Sequence, residues 1–136
     1  MKYKYLTQVN SNPNRPHFRR PVVDVELFGP NGNVKTIALV DSGADNCLFN
    51  IEFAKAIGVN LEQCEKSRTI GVEGGSKEVF LIDLDIQVKH LDKVKVPVGF
   101  IESRSVIGLL GQIGFFDAYR IKFERDHNTF EINQRR

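Results

Sequence analysis

The stretch Ile37-Ala38-Leu39-Val40-Asp41-Ser42-Gly43-Ala44-Asp45 is the part of this chain best equipped for chemistry. An apolar run carries a carboxylate, Asp41, to its end, and small residues come directly after it, so the acid can stand in a cleft with backbone close beside it. Such a group can take a proton from water or give one to a carbonyl oxygen. A water held between two such carboxylates can lose a proton to one while the other protonates a carbonyl, and that arrangement requires two of them. Taken alone, Asp-Ser-Gly equally fits an Asx turn at a strand end. Two segments further along the chain give it meaning. Thr69-Ile70-Gly71-Val72-Glu73-Gly74-Gly75-Ser76-Lys77-Glu78-Val79 reads as a Gly-rich hairpin tip whose backbone can approach a ligand closely. It is not a phosphate loop, because no Lys-Ser/Thr closes it and no helix comes after it. Val106-Ile107-Gly108-Leu109-Leu110-Gly111 is an apolar strand ending in Gly, able to pass beside the acidic turn.

The remaining polar and reactive residues read as structural. Cys47 and Cys64 are too few and too far apart for a disulfide framework or a zinc knuckle, and no CxxC exists. Cys47, next to Leu48 and Phe49, has the setting of a small buried apolar thiol. A reducing compartment fits, and the expected location is the cytoplasm. His17, His90 and His127 sit in loops or turns without ligand spacing, so no metal and no cofactor is expected. Phe49, Phe115 and Phe116 read as core, and Glu73 as a solvated loop tip. The net charge is +2, yet Lys2, Lys4, Arg15, Arg19 and Arg20 fall in the first 20 residues with no acid, leaving −3 for the remainder. Cations spread this thinly describe a solvated arm, and neither nucleic acid nor membrane is expected as a partner. The longest apolar stretch, Val106 to Phe116, is broken by Gly and Gln and too short to span a bilayer.

The elements that must position Asp41 are strands. At 136 residues the chain is one domain, too short for two lobes, and its 41% hydrophobic and 26% charged residues exclude a disordered or fibrous class. Residues 1–20 read as an N-terminal strand and basic loop, with Asn10 to Pro16 as the loop, and 21–136 as the folded domain. Pro21 to Phe28 and Val34 to Val40 flank Gly29-Pro30-Asn31-Gly32-Asn33, whose Asn-Gly pair suits a tight hairpin. Phe80, Ile82, Leu84, Ile86 and Val88 alternate with Leu81, Asp83, Asp85 and Gln87, and Val94, Val96 and Val98 repeat the period. Tyr119 to Glu124 and Thr129 to Ile132, joined by Arg125 to Asn128, form a C-terminal hairpin. The convincing helix is Ile51 to Ile57, capped by Asn50 and closed by Gly58; Gln112 to Ala118 allows a second short helix or turn. The pattern is all-β, a barrel or sandwich, with no internal repeat.

Together, Ala38-Leu39-Val40-Asp41-Ser42-Gly43-Ala44-Asp45, the Gly-rich hairpin and Leu109-Leu110-Gly111 resemble the retropepsin, or retroviral-type, family of aspartic peptidases. The resemblance runs from about Pro21 to Phe123. It implies a closed acid-protease-like β-barrel with a flap hairpin, forming one half of a two-fold symmetric homodimer that hydrolyses peptide bonds in a peptide or protein substrate. By the same resemblance Asp41 is the catalytic acid, Ser42 supplies a hydroxyl across the paired site, and the Gly43 carbonyl meets substrate backbone. Asp45 and Asn46 fall at the next subsites, Ile70, Gly71, Glu73, Gly74 and Gly75 on the flap, and Ile107 and Leu109 on an apolar subsite wall. Three features depart from the viral pattern. Gln112 stands where an Arg usually pairs with the acid at Asp45, Glu73 occupies a flap tip that is apolar in viral enzymes, and the helix after Asn50 and the tail past Phe123 exceed the minimal form. A cellular or bacterial member fits better. The other aspartates, Asp24, Asp45, Asp83, Asp85, Asp92, Asp117 and Asp126, lie in no second Asp-Ser/Thr-Gly, so the second carboxylate must come from another copy across a two-fold axis. The alternative is an inactive peptide-binding or scaffolding module on the same fold, with Gln112 and Glu73 spoiling dimerisation or closure.

Overall fold

Strand alternation builds a wall with one greasy face, and in this chain the wall closes on itself. The structure, a computed structural model, describes residues 1–72 and 75–135, with residues 70–72 described by backbone alone. Its strands are β1 Lys2–Lys4, β2 Leu6–Gln8, β3 Phe18–Arg20, β4 Val22–Gly29, β5 Gly32–Val40, β6 Cys47–Asn50, β7 Glu65–Val72, β8 Gly75–Val88, β9 Val94–Ile101, β10 Gly108–Leu110, β11 Tyr119–Glu124 and β12 Thr129–Gln134. Two short helices, α1 Ile51–Ala56 and α2 Phe115–Ala118, complete the secondary structure that bears on the site. Six strands pair in the ring β4-β5-β10-β6-β9-β8, and β8 returns to β4 to close it; β7 is added outside on β8. The contacts β5–β10 and β6–β9 are parallel and the others in the ring antiparallel. The expected barrel is therefore the fold.

Val23, Val25 and Leu27 on β4, Leu84, Ile86 and Val88 on β8, and Val96, Val98 and Phe100 on β9 all turn inward, every second residue. Phe49, Phe100, Phe115 and Phe130 are fully buried, each contributing on the order of 1.5–3 kcal/mol of hydrophobic stabilisation. A smaller cluster of Leu48, Val79, Ile101 and Val106, with Leu81 and Leu109 packed on it, lies apart from this main core.

Local signals end where the sequence placed them, with two adjustments. Helix α1 begins at Asn50, whose side chain accepts from Glu52 N at 3.0 Å, and stops one residue short of Ile57, with Gly58 in the left-handed region at φ 78°. In the β4–β5 hairpin Gly29 pairs with Gly32, so Pro30 and Asn31 form the loop and only Gly32, at φ 139°, takes the positive φ expected of the Asn-Gly pair. The C-terminal hairpin turns through Arg125–His127 and a left-handed Asn128.

The N-terminal residues are woven in. β1 pairs with β12 to make a three-stranded sheet with β11, and Tyr5 is buried in the main core. Phe130 stacks on both Tyr3 and Tyr5, with centroids 5.4 Å apart in each case. β2 and β3 pair only with each other, forming a separate two-stranded ribbon, and Arg15, Arg19 and Arg20 are exposed. No helix among the described residues is long and apolar enough to cross a membrane.

Candidate active site

Asp41 comes directly after β5, and its place is fixed from both sides. Its N–H donates to the Leu110 carbonyl at 3.0 Å, continuing the parallel pairing that sets Leu109 beside Leu39 and Leu110 beside Val40. Its carboxylate Oδ1 accepts from Gly43 N at 2.9 Å, and its carbonyl accepts from Ala44 N at 3.2 Å, which folds residues 41–44 into a tight acidic turn. Oδ2 has no hydrogen-bond partner among the described residues. The return segment holds the far side of this turn: Gln112 N donates to the Ala44 carbonyl at 2.9 Å and Ile113 N to the Asp45 carbonyl at 2.7 Å.

Gln112, at the position where an arginine would pair with Asp45, has a different partner. Its amide Nε2 donates to the Ser42 carbonyl at 2.8 Å, so an uncharged side chain clamps the acidic turn through backbone. Asp45 has no ion pair among the described residues. Beneath the turn Cys47 is fully buried, and its Sγ accepts from Gly111 N at 3.4 Å. Burial pushes the Cys47 thiol up from its ordinary pKa, outweighing the lowering by the Gly111 N–H.

A cavity of about 590 Å³ opens over Asp41. Of the sequence-derived site residues, Asp41, Gly43, Asp45, Asn46 and Leu109 line it. Ser42 is exposed next to it and contributes only its clamped carbonyl to the described contacts. Ile107 faces a neighbouring groove that shares Leu109 with this cavity. Gly75 opens β8, Ile70 and Gly71 lie on the backbone of β7, and Glu73 and Gly74 fall outside the described residues. Ala44, Leu48, Ser67, Arg68, Thr69 and Val79 also line the cavity, and sequence reasoning did not single them out as site residues. Thr69 and Val79 bound the hairpin that was recognised, whereas Ser67 and Arg68 reach the cavity only through the β7–β8 register, in which Ser67 faces Val79 and Arg68 faces Glu78. Arg68 Nη1 donates to Ser76 Oγ at 3.1 Å across that hairpin. Among the described residues no group of three or more His, Cys, Asp or Glu side chains is arranged to hold a metal ion.

The closed barrel, the Asp-Ser-Gly turn at the end of one strand, the outlying hairpin beside it and the Leu-Leu-Gly return strand together have the layout that the sequence resemblance implies. Comparison with known proteins agrees. A family model described as aspartyl protease matches residues 23–112, or 90 of the 136. Among solved structures, a retropepsin-like aspartic protease from Rickettsia conorii superposes with a TM-score of 0.60 at 19% sequence identity, covering 94% of this chain and 98% of that one. No curated protein matches the sequence. The chain belongs to the aspartyl protease family, and its fold is retropepsin-like.

Proposed function

We propose that this protein is an aspartic endopeptidase whose active site is assembled from two copies of the chain, each contributing Asp41. The observation that carries the reading is a single Asp-Ser-Gly turn, held by Gly43 N and Leu110 O at the edge of an open cavity, in a chain with no second turn of that kind. Two such carboxylates brought within a few Å share one proton, because both cannot ionise cheaply side by side. The ionised Asp41 takes a proton from a water molecule as its oxygen attacks the scissile carbonyl, and the protonated Asp41 gives its proton to the carbonyl oxygen. Return of a proton to the amide nitrogen then releases the amine as the C–N bond breaks. The substrate lies extended between the acidic turn and the β7–β8 hairpin, with its backbone pairing as an added strand and its side chains alternating into pockets.

In this reading the Ser42 hydroxyl bonds across the pair and the Gly43 carbonyl meets substrate backbone. Asp45 and Asn46 form the next subsites, residues 70–75 close over the peptide, and Ile107 and Leu109 form an apolar wall. The two free buried cysteines suit a reducing compartment such as the cytoplasm.

The test compares native protein with Asp41→Asn on a mixed peptide library at mildly acidic pH, with products identified by mass spectrometry. Native protein cleaves, and the variant, folded alike, loses about 10⁴-fold in rate. A statine-type inhibitor raises the Tm of the native protein by binding its folded form. Equal cleavage patterns from the two proteins would end this assignment.

A further inference from the structure

An apolar groove of about 660 Å³ lies beside the Asp41 cavity and shares Leu109 with it. Its floor is the outer face of two paired strands. On β5, Ile37 and Leu39 share a face with Asp41, whereas Ala38 and Val40 between them turn into the core. Ile107 and Leu109 stand beside them, Leu109 in register with Leu39. The opposite wall comes from outside residues 23–112: the β2–β3 ribbon brings Leu6, Thr7, Gln8 and Arg20 to the groove. Leu6 is 51% exposed, Ile37 41% and Ile107 52%, which leaves three large aliphatic side chains uncovered around one concavity.

We infer that the N-terminal ribbon is a specificity element, with Leu6 completing, together with Ile37, Leu39 and Ile107, a subsite for a bulky apolar side chain of the peptide cleaved at Asp41. The inference rests on the peptidase reading above and names a feature of its substrate. Continuity selects the occupant. The face that runs Ile37, Leu39, Asp41 leads from groove to carboxylate in steps of roughly 7 Å, the repeat of an extended chain. A peptide lying over that face with its backbone at Asp41 sends successive side chains to opposite sides. One falls into the apolar groove and the next toward the polar cavity with Asp45, Arg68 and Thr69. Desolvating a Leu or Phe side chain there favours it over Ala by about tenfold or more in kcat/KM.

The test uses blocked octapeptides of Ala with one central Leu, Phe, Ala or Ser. In Asp41→Asn protein labelled at its Leu and Ile methyls, the Leu6, Ile37 and Ile107 signals shift on adding the Leu or Phe peptide and stay in place with the Ser peptide. In protein native at Asp41, Leu6→Ala lowers the preference for Leu or Phe over Ala about three- to tenfold, while cleavage of the Ala peptide persists. Leu6 is half exposed, so its truncation leaves the fold intact. An unchanged preference in Leu6→Ala overturns the inference, as do peptide-induced shifts confined to the Asp45–Thr69 side. It is also overturned if, at protein concentrations where association is complete, the Leu6 and Ile107 methyls no longer respond to the Leu or Phe peptide, which assigns the groove to the second copy. Methyl shifts with the Leu and Phe peptides in a protein that cleaves nothing would sink the peptidase reading and leave the subsite standing.

Discussion

Asp41 owes its position to backbone on both sides, its own N–H on Leu110 and its carboxylate on Gly43 N. The return strand that supplies the first of these has no room to spare. A Cβ added at Gly111 would run into the Asn46 carbonyl and come within 2.7 Å of the Ala44 carbonyl, both rigid backbone. Gly111→Ala therefore displaces the acidic turn, and the expected outcome is a loss of about 2 kcal/mol in denaturant unfolding together with a fall in any cleavage activity. Cys47 packs under the same turn, and with burial raising its pKa the thiol stays protonated at neutral pH. An aromatic disulfide reagent should leave Cys47 unlabelled in the native protein and react with it after denaturation; fast native labelling would contradict the burial. At this scale the sequence was readable wherever the chemistry is contiguous. Asp41, Gly43, Asp45 and Asn46 sit within six residues of each other and all line the cavity. Ser67 and Arg68 were not readable, because a strand register more than 20 residues further along the chain brings them there. Gln112 stands where the family resemblance places an arginine, so no ion pair with Asp45 is expected there, and what the sequence does not show is that its neutral amide reaches the Ser42 carbonyl.

Elements with local signals were legible in the same way. Asn50 and Gly58 bracket α1, and the alternation from Phe80 to Val88 gives β8 its buried face. The weave of the N-terminus was not, since pairing Lys2 with Glu131 and Lys4 with Thr129 spans nearly the whole chain and leaves no trace in local pattern. Tyr3 reports on that weave. Its hydroxyl donates to the Lys89 carbonyl at 2.7 Å, and burial, with the neighbouring Tyr119, pushes its pKa from 10.0 up to about 12. The folded state thus keeps a proton that the unfolded chain gives up near pH 10. The stability this represents is fully present below pH 10 and is lost as pH rises through about 12. Burial raises Tyr5 and Tyr119 in the same direction. Thermal melts should show Tm falling between pH 10 and 12 in the native protein and less steeply in Tyr3→Phe. At pH 7 that variant should be weaker by about 1 kcal/mol for the lost hydrogen bond.

At the scale of the molecule, one closed barrel carries one acidic turn, and the barrel itself was foreseeable from evenly spaced alternating strands. In the proposed pair the counterpart of Asp41 belongs to a second molecule related by a two-fold axis, and such a counterpart leaves no repeat within one chain. If the site is shared, activity tracks association: dilution separates the carboxylates and the specific rate falls with them. The most direct measurement is specific activity against protein concentration, set beside mass by sedimentation on the same samples. The account predicts a rate that climbs in step with the population of twice 15.4 kDa and levels off when that form is complete. A 15.4 kDa species that cleaves peptides at a specific rate unchanged by dilution would contradict it.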